Sequence, residues 1–177
     1  MKERIQITDY LAHILKALPR GILLNTQGDK FNSMVIGWGN LGVIWGVWTF
    51  VAYVRESRYT KAVLDATGEF SISVPLDAPI PLITRVCGAQ SGYNVDKVAQ
   101  AGLTLVEPNA IKTPDVKEYP LTLECRTLYT ERQNLALLPE TIRKQMYPEN
   151  VDGTAVGANR DPHTAYIGQI VDAYIIK

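Results

Sequence analysis

Apolar positions along this chain fall mostly into runs of strand length, separated by polar breaks that carry Gly or Pro. Residues 20–26 (R-G-I-L-L-N-T) read as a buried strand and Gln27-Gly28-Asp29 as the turn after it. Extended structure resumes over 31–38, and 43–54 is a second long run of apolar and aromatic residues. Residues 69–75 alternate as a half-buried strand does, 121–132 are strand-like, and 164–176 form a strong final strand, with a short one expected at 103–107. Helical spacing is rarer. It is predicted at 10–18, at 60–67 ahead of Gly68, at 82–87, at 96–100, and at 138–147 with Pro139 in its first turn. Residues 88–94 and 151–162 read as loops. Strands that pair with sequence neighbours, with helices inserted at a few points, predict a mainly β antiparallel barrel with added helices rather than alternating βαβ units. A barrel also removes the edges that so many apolar strands would expose.

The stretch 51–63 (V-A-Y-V-R-E-S-R-Y-T-K-A-V) joins a strand to a helix and carries the first chemical signal. Ser57 stands where an N-cap is expected, and Thr60 occupies the place a capping box gives to Glu or Gln. Arg55, Arg58 and Lys61 surround that helix start, and only Glu56 opposes them. Each cation there works against the helix dipole by roughly 0.3–1 kcal/mol at an exposed site. The arrangement makes sense if an external anion completes the cap, because backbone N–H groups at a helix start bind phosphate readily. A solvated basic turn is the alternative.

Composition narrows the partners. The 177 residues suit one domain spanning 1–177. Lys plus Arg (18) equals Asp plus Glu (18), so there is no global basic field for nucleic acid and no polybasic membrane patch. The first residues lack the apolar core of a signal peptide, and no run approaches the roughly 18–20 apolar residues of a membrane span. Cys87 and Cys125, the 2 cysteines, suggest neither a disulfide framework nor zinc spacing. A cytoplasmic protein is the expectation.

Gly37-Trp38-Gly39-Asn40-Leu41-Gly42 matches G-x-G-x-x-G in letters only. A dinucleotide fingerprint needs a helix opening within it and an acid about 20 residues on. Here β-branched and aromatic residues follow, and Glu56 comes too soon. The glycines instead let the backbone turn or approach a flat ligand. Trp38, Trp45 and Trp48 crowd the same window, as core or as a slot for a planar ring. Asn32 and Ser33 just upstream supply polar groups, and Met34 a polarizable side chain. An aromatic slot and a phosphate cradle joined by one strand suit a ligand that is flat at one end and phosphorylated at the other. A flavin mononucleotide fits, with pyridoxal phosphate the smaller competitor.

These residues carry a resemblance. N-S-M at 32–34 with Trp38, I-W-G at 44–46, V-R-E-S-R-Y-T at 54–60, and Glu69-Phe70 through Val74-Pro75 resemble the flavin reductase-like, FMN-binding split-barrel family in its flavoredoxin-type branch. Cys87-Gly88, Ser91-Gly92, Asp96-Lys97, Glu124-Cys125, and His163 with Y-I-G at 166–168 follow in the family's order, from about residue 18 to the end. The resemblance implies a six-stranded antiparallel split β-barrel of Greek-key type, a homodimer, and FMN near the dimer interface. By it Arg55, Ser57, Arg58, Tyr59 and Thr60 bind phosphate, and Asn32, Ser33, Met34 and Val35 border the isoalloxazine, largely through backbone groups, with Trp38 a further cofactor-binding candidate. Ser91, Gly92 and Lys97 reach the flavin from the loop after Cys87. Val35 replaces a common Thr or Ser, Trp48 departs from W-G-x-P and could narrow the slot, and Tyr93-Asn94 replaces a common Arg-Asp pair that would suit a nicotinamide phosphate.

The implied activity is an FMN-dependent oxidoreductase that moves reducing equivalents from NAD(P)H through flavin to an acceptor. Hydride passes directly between cofactors, so no catalytic side chain is expected, and no metal. The rivals are a non-enzymatic FMN electron carrier reduced by a partner redox protein, and a binding module for another phosphorylated ligand.

Overall fold

Turn chemistry and capping set the ends of each element, and antiparallel pairing draws most strands into one sheet. The computed structural model describes residues 1–149 and 161–177, so the loop expected at 151–162 lies outside them apart from Asp161 and Pro162. β1 (Lys2–Arg4) leads into α1 (Ile7–Ala17), which starts before the expected 10–18 segment and tightens into a 3-10 turn at Leu18–Arg20, where Pro19 fits. β2 (Ile22–Gln27) and β3 (Phe31–Ile36) form a hairpin, and Gly37-Trp38 separates β3 from β4 (Gly39–Ile44). The run 43–54, expected as one strand, is broken by a two-residue turn at Trp45-Gly46, where φ is 54° and 75°. β5 (Val47–Arg55) therefore folds back on β4. Trp at positive φ is uncommon, so that turn left only Gly46 as a sequence signal.

α2 (Tyr59–Thr67) ends at Gly68 in the left-handed conformation, φ 66°, as its sequence predicts. β6 (Glu69–Val74) follows directly, then α3 (Pro81–Ala89), opened by Pro81, and α4 (Lys97–Ala101), whose Asp96 side chain accepts from the N–H groups of Val98 and Ala99. The expected strand at 103–107 shrinks to β7 (Leu105–Val106), which pairs with β8 (Asp115–Val116). β9 (Leu121–Arg132), α5 (Glu140–Met146) and β10 (His163–Ile176) agree closely with expectation.

The main sheet runs β3-β2-β6-β9-β10-β5-β4, with β1 added to β10, and every ladder is antiparallel. It has 8 strands where the resemblance implied six, and no ladder joins β3 to β4 among the described residues. β2 is buried on both faces. Leu24 packs with Phe50, Phe70, Leu123 and Tyr166 inside the curved sheet, while Leu23 packs with Ile83, Val86 and Cys87 under α3. No helix among the described residues is long and apolar enough to cross a membrane.

Gly168 marks the tightest point of this core, beside a register shift in the β9–β10 ladder. A Cβ there would stand 2.5 Å from the Phe70 ring and 3.1 Å from Cys125 Cβ. Gly168→Ala is expected to destabilise the fold by about 1–3 kcal/mol through overpacking. Urea unfolding measures this; an unchanged midpoint would show that the sheet gives way at no cost.

Candidate functional site

The register between β5 and β10 builds the site. Arg55, the last residue of β5, stands opposite His163, the first of β10, and Tyr53 stands opposite Ala165. Paired positions share a sheet face and bring their side chains within about 5 Å. Beyond Arg55 the chain turns into α2. Arg58, extended at φ -80° and ψ 139°, is the N-cap, and no side chain caps the helix. Ser57 is therefore not the cap expected from the sequence. It is exposed, one step outside the helix, and its N–H donates to Asp161 Oδ2 at 2.9 Å. Glu56 does not oppose the arginines either. Alternation along the chain turns it away, to accept from Thr164 Oγ1 at 2.6 Å and to lie 3.6 Å from Arg132. Lys61 pairs with Asp65 at 2.7 Å and stays within 3.9 Å of Glu56, so Glu56 opposes this one of the three expected cations.

Two clefts open along β3 and share Met34, Val35 and Arg58, so they form one groove. The larger, about 270 Å³, has Trp38, Tyr53, Arg55, Met146 and His163 in its walls. Arg55 is 5% exposed, and its Nη1 finds no partner among the described residues. The His163 ring lies 4.7 Å from Trp38, and its Nδ1 lies 3.0 Å from the Tyr147 hydroxyl. That hydroxyl donates its proton to Gln133 Oε1 at 2.7 Å, so its oxygen accepts from Nδ1–H and Nε2 keeps a lone pair. Burial, reinforced by Arg55, pushes the His163 pKa down to about 4. The imidazole is neutral at pH 7.

The smaller cleft, about 40 Å³, lies between the start of α2 and the loop after α3, with Arg58, Tyr59, Thr60, Ser91, Gly92 and Lys97 around it. Asn32 donates Nδ2 to Thr60 Oγ1 at 2.9 Å, which leaves its buried Oδ1 without a partner among the described residues. A Cβ at Gly92 would clash with this Asn32 Oδ1 and stand 2.8 Å from the Tyr59 ring, so only glycine fits here. Lys97 is 4% exposed and donates to the carbonyls of Ser33 at 2.8 Å and Cys87 at 3.2 Å. Burial is the chief cause that brings its ammonium down to about 8. Tyr59 stands edge-on to Tyr93 at 4.9 Å, with Lys30 over its ring at 5.3 Å.

Of the residues nominated from the sequence, Asn32, Met34, Val35, Trp38, Arg55, Arg58, Tyr59, Thr60, Ser91, Gly92 and Lys97 come together along this groove. Ser33 and Ser57 line neither cleft. The Ser33 hydroxyl lies by the Cys87 thiol on the α3 side of β3. The three Trp do not form one slot: Trp45 sits 62% exposed on a hairpin tip against Tyr129, and Trp48 packs on the core beside a separate depression with Arg4 and Ile170. Sequence reasoning did not nominate Tyr53, although period-two alternation from Arg55 points to it. Met146 and Tyr147 arrive from α5 through tertiary structure alone.

Fold and groove together define a mainly β ligand-binding domain with an anion-ready helix start. Residues 16–177 match the flavin reductase like domain family, and the chain belongs to it. It is similar in structure to flavoredoxin from Methanosarcina acetivorans, 25% identical over 89% of this chain and 68% of that one, with a TM-score of 0.63. Its fold is also that of an FMN-binding domain of a flavin reductases-like enzyme from Shewanella baltica OS155, 17% identical over 99% of this chain and 77% of that one, TM-score 0.62. An uncharacterized protein of Archaeoglobus fulgidus is 38% identical over 77 residues, which span 42% of this chain and 42% of that protein.

His163 makes the fold sensitive to acid. Its folded pKa of about 4 lies below the 6.5 of a free histidine, so the unfolded chain takes up the proton first. The stability it contributes is present above pH 6.5 and is lost as pH falls through 4. His163→Gln is expected to lose less stability than the parent between pH 7 and pH 4.5, measured by urea unfolding at each pH. Equal losses would show that the imidazole is not held neutral.

Proposed function

We propose that this chain binds FMN in the groove and passes reducing equivalents from NAD(P)H through the flavin to an acceptor. The observation that carries the reading is the helix start of α2. It has no cap of its own, yet Arg58, Lys97 and Thr60 converge on the cleft beside it. The groove also fits such a ligand by its unsatisfied groups, because buried polar atoms ordinarily have partners. Arg55 Nη1 and Asn32 Oδ1 have none among the described residues. The absence of a Cβ at Gly92 keeps the wall of the smaller cleft thin.

Arg58, Tyr59, Thr60, Ser91, Gly92 and Lys97 would hold the phosphate end, and Met34, Val35 and Trp38 would wall the ring and exclude water. Bound FMN would supply the two-electron chemistry, for which no side chain of this chain is required. His163 stays neutral and offers Nε2 as an acceptor toward the larger cleft. Cys87 takes no part as a nucleophile, since burial raises its thiol. The reading includes a single domain over 1–177 and a homodimer, supported by exposed Val43, Trp45, Leu128 and Tyr129 on the β4–β5 hairpin and β9. Cytoplasmic placement is supported by two free buried cysteines. The carrier alternative gains nothing from Trp48, which lies away from the groove.

Purified protein is expected to be yellow or to take up added FMN with a shift in its visible spectrum. Protein that stays colourless and ignores FMN would sink the reading. Arg58→Ala is expected to weaken FMN about tenfold or more while riboflavin, which lacks the phosphate, changes little. Anaerobic mixing of the FMN-loaded protein with NADH and NADPH should bleach the flavin. Rapid bleaching by a redox protein alone would move the assignment to an electron carrier.

A further inference from the structure

Arg55 and Arg58 belong to one sequence motif, but the fold sends them to different ends of the groove. Arg58 borders both clefts, whereas Arg55 borders only the larger one, beside Trp38 and His163. The two ends differ in size. One water takes up about 10–15 Å³ of such space, so the smaller cleft, about 40 Å³, suits a group the size of phosphate better than a fused ring system. The larger, about 270 Å³, is walled by Met34, Ile36 and Trp38 and has the capacity the smaller lacks. The phosphate end is already furnished without Arg55, through Arg58, Thr60, Lys97 and the open start of α2. The unpartnered Nη1 of Arg55 therefore serves whatever fills the ring end.

Resting on the FMN reading above, we infer that Arg55 is a ring-end residue, donating to the carbonyl edge of the isoalloxazine and tuning its redox potential, and is not a phosphate ligand. A guanidinium held in a dry cleft stabilises an edge that gains negative charge on reduction, so it raises the potential of the bound flavin. Planar donors suit a carbonyl edge better than a point charge does. Asp161 feels this charge, but it forms no ion pair with Arg55 among the described residues, and its Oδ2 accepts the Ser57 N–H, so the guanidinium keeps donors for a ligand.

The experiment compares the parent, Arg55→Gln, Arg55→Lys and Arg58→Ala by titration with both FMN and riboflavin, and by spectroelectrochemistry of the loaded proteins. Arg55→Gln is expected to weaken FMN and riboflavin by the same factor, about tenfold. Its two-electron potential falls by about 30 mV for each tenfold loss in relative affinity for the reduced form. Arg55→Lys keeps the charge and should hold the potential near that of the parent. A fold check independent of ligand comes from NMR titration of the apo proteins: removing Arg55 should raise the His163 pKa, since Arg55 depresses it in the parent. Loss of FMN affinity alone in Arg55→Gln, with riboflavin unchanged, overturns the assignment and leaves FMN binding intact. A parent that takes up neither flavin removes the reading on which the inference rests.

Discussion

The site depends on one antiparallel register, in which the end of β5 faces the beginning of β10 and Arg55 lies across from His163. β10 is also the strand on which the sheet is built. It pairs with β9 along nearly its whole length, with β5 over its first half, and with β1 over its last residues. Arg55 thus cannot shift without dragging the most heavily paired strand. A buried guanidinium lacking a carboxylate is costly, since burial removes the hydration that a partner must replace. Sequences that fold well avoid such conflicts, and those that remain mark functional or strained places.

The imbalance persists because simple stereochemistry sends the available acids elsewhere. Successive residues of an extended chain point to opposite faces, so Glu56 faces Thr164 and Arg132 while Arg55 faces the groove. Asp161 lies close enough to feel Arg55. Burial opposes its ionisation, but the Ser57 hydrogen bonds and then Arg55 hold its carboxyl below the usual range. Its oxygen nonetheless serves the Ser57 N–H rather than the guanidinium. The protein spends one carboxylate on a turn and leaves a cation for the cleft.

Much of this was legible locally. Residues 60–67 with Gly68 announced a helix and its end, which are read from neighbours in sequence. The clustering of cations at its start raised the expectation of an anion site, and of those three cations only Arg58 borders the cleft there. What failed was anything that needs the third dimension. Ser57 looked like a cap because Ser favours that place, but the helix begins after Arg58, and Asp161, from the far end of the chain, holds the Ser57 N–H. The three Trp looked like one slot because they are close in sequence. A hairpin turn at Trp45-Gly46 reverses the chain between them, leaving only Trp38 at the groove. The antiparallel, mainly β sheet was legible from strand lengths and turns, whereas the strands β1 and β4 were not, since short strands owe their existence to partners.

The cations of the groove also act on one another. Arg58 is lowered chiefly by burial and next by Arg55, while Lys97 is lowered chiefly by burial, with Arg58 and Lys30 among the further causes. His163 is kept neutral by the same burial and the same arginines. An anion entering the groove offsets the repulsion among these cations, though not their burial, and by that part it should raise the proton affinity of Lys97 and His163. By linkage, groups that bind protons more tightly in the complex make the complex tighter as they fill. Near neutral pH Lys97 is the group so affected, because its value of about 8 lies within reach of pH 7 whereas that of His163, about 4, does not. The ammonium that two backbone carbonyls pin between β3 and α3 is thus the place where ligand charge and solution pH meet.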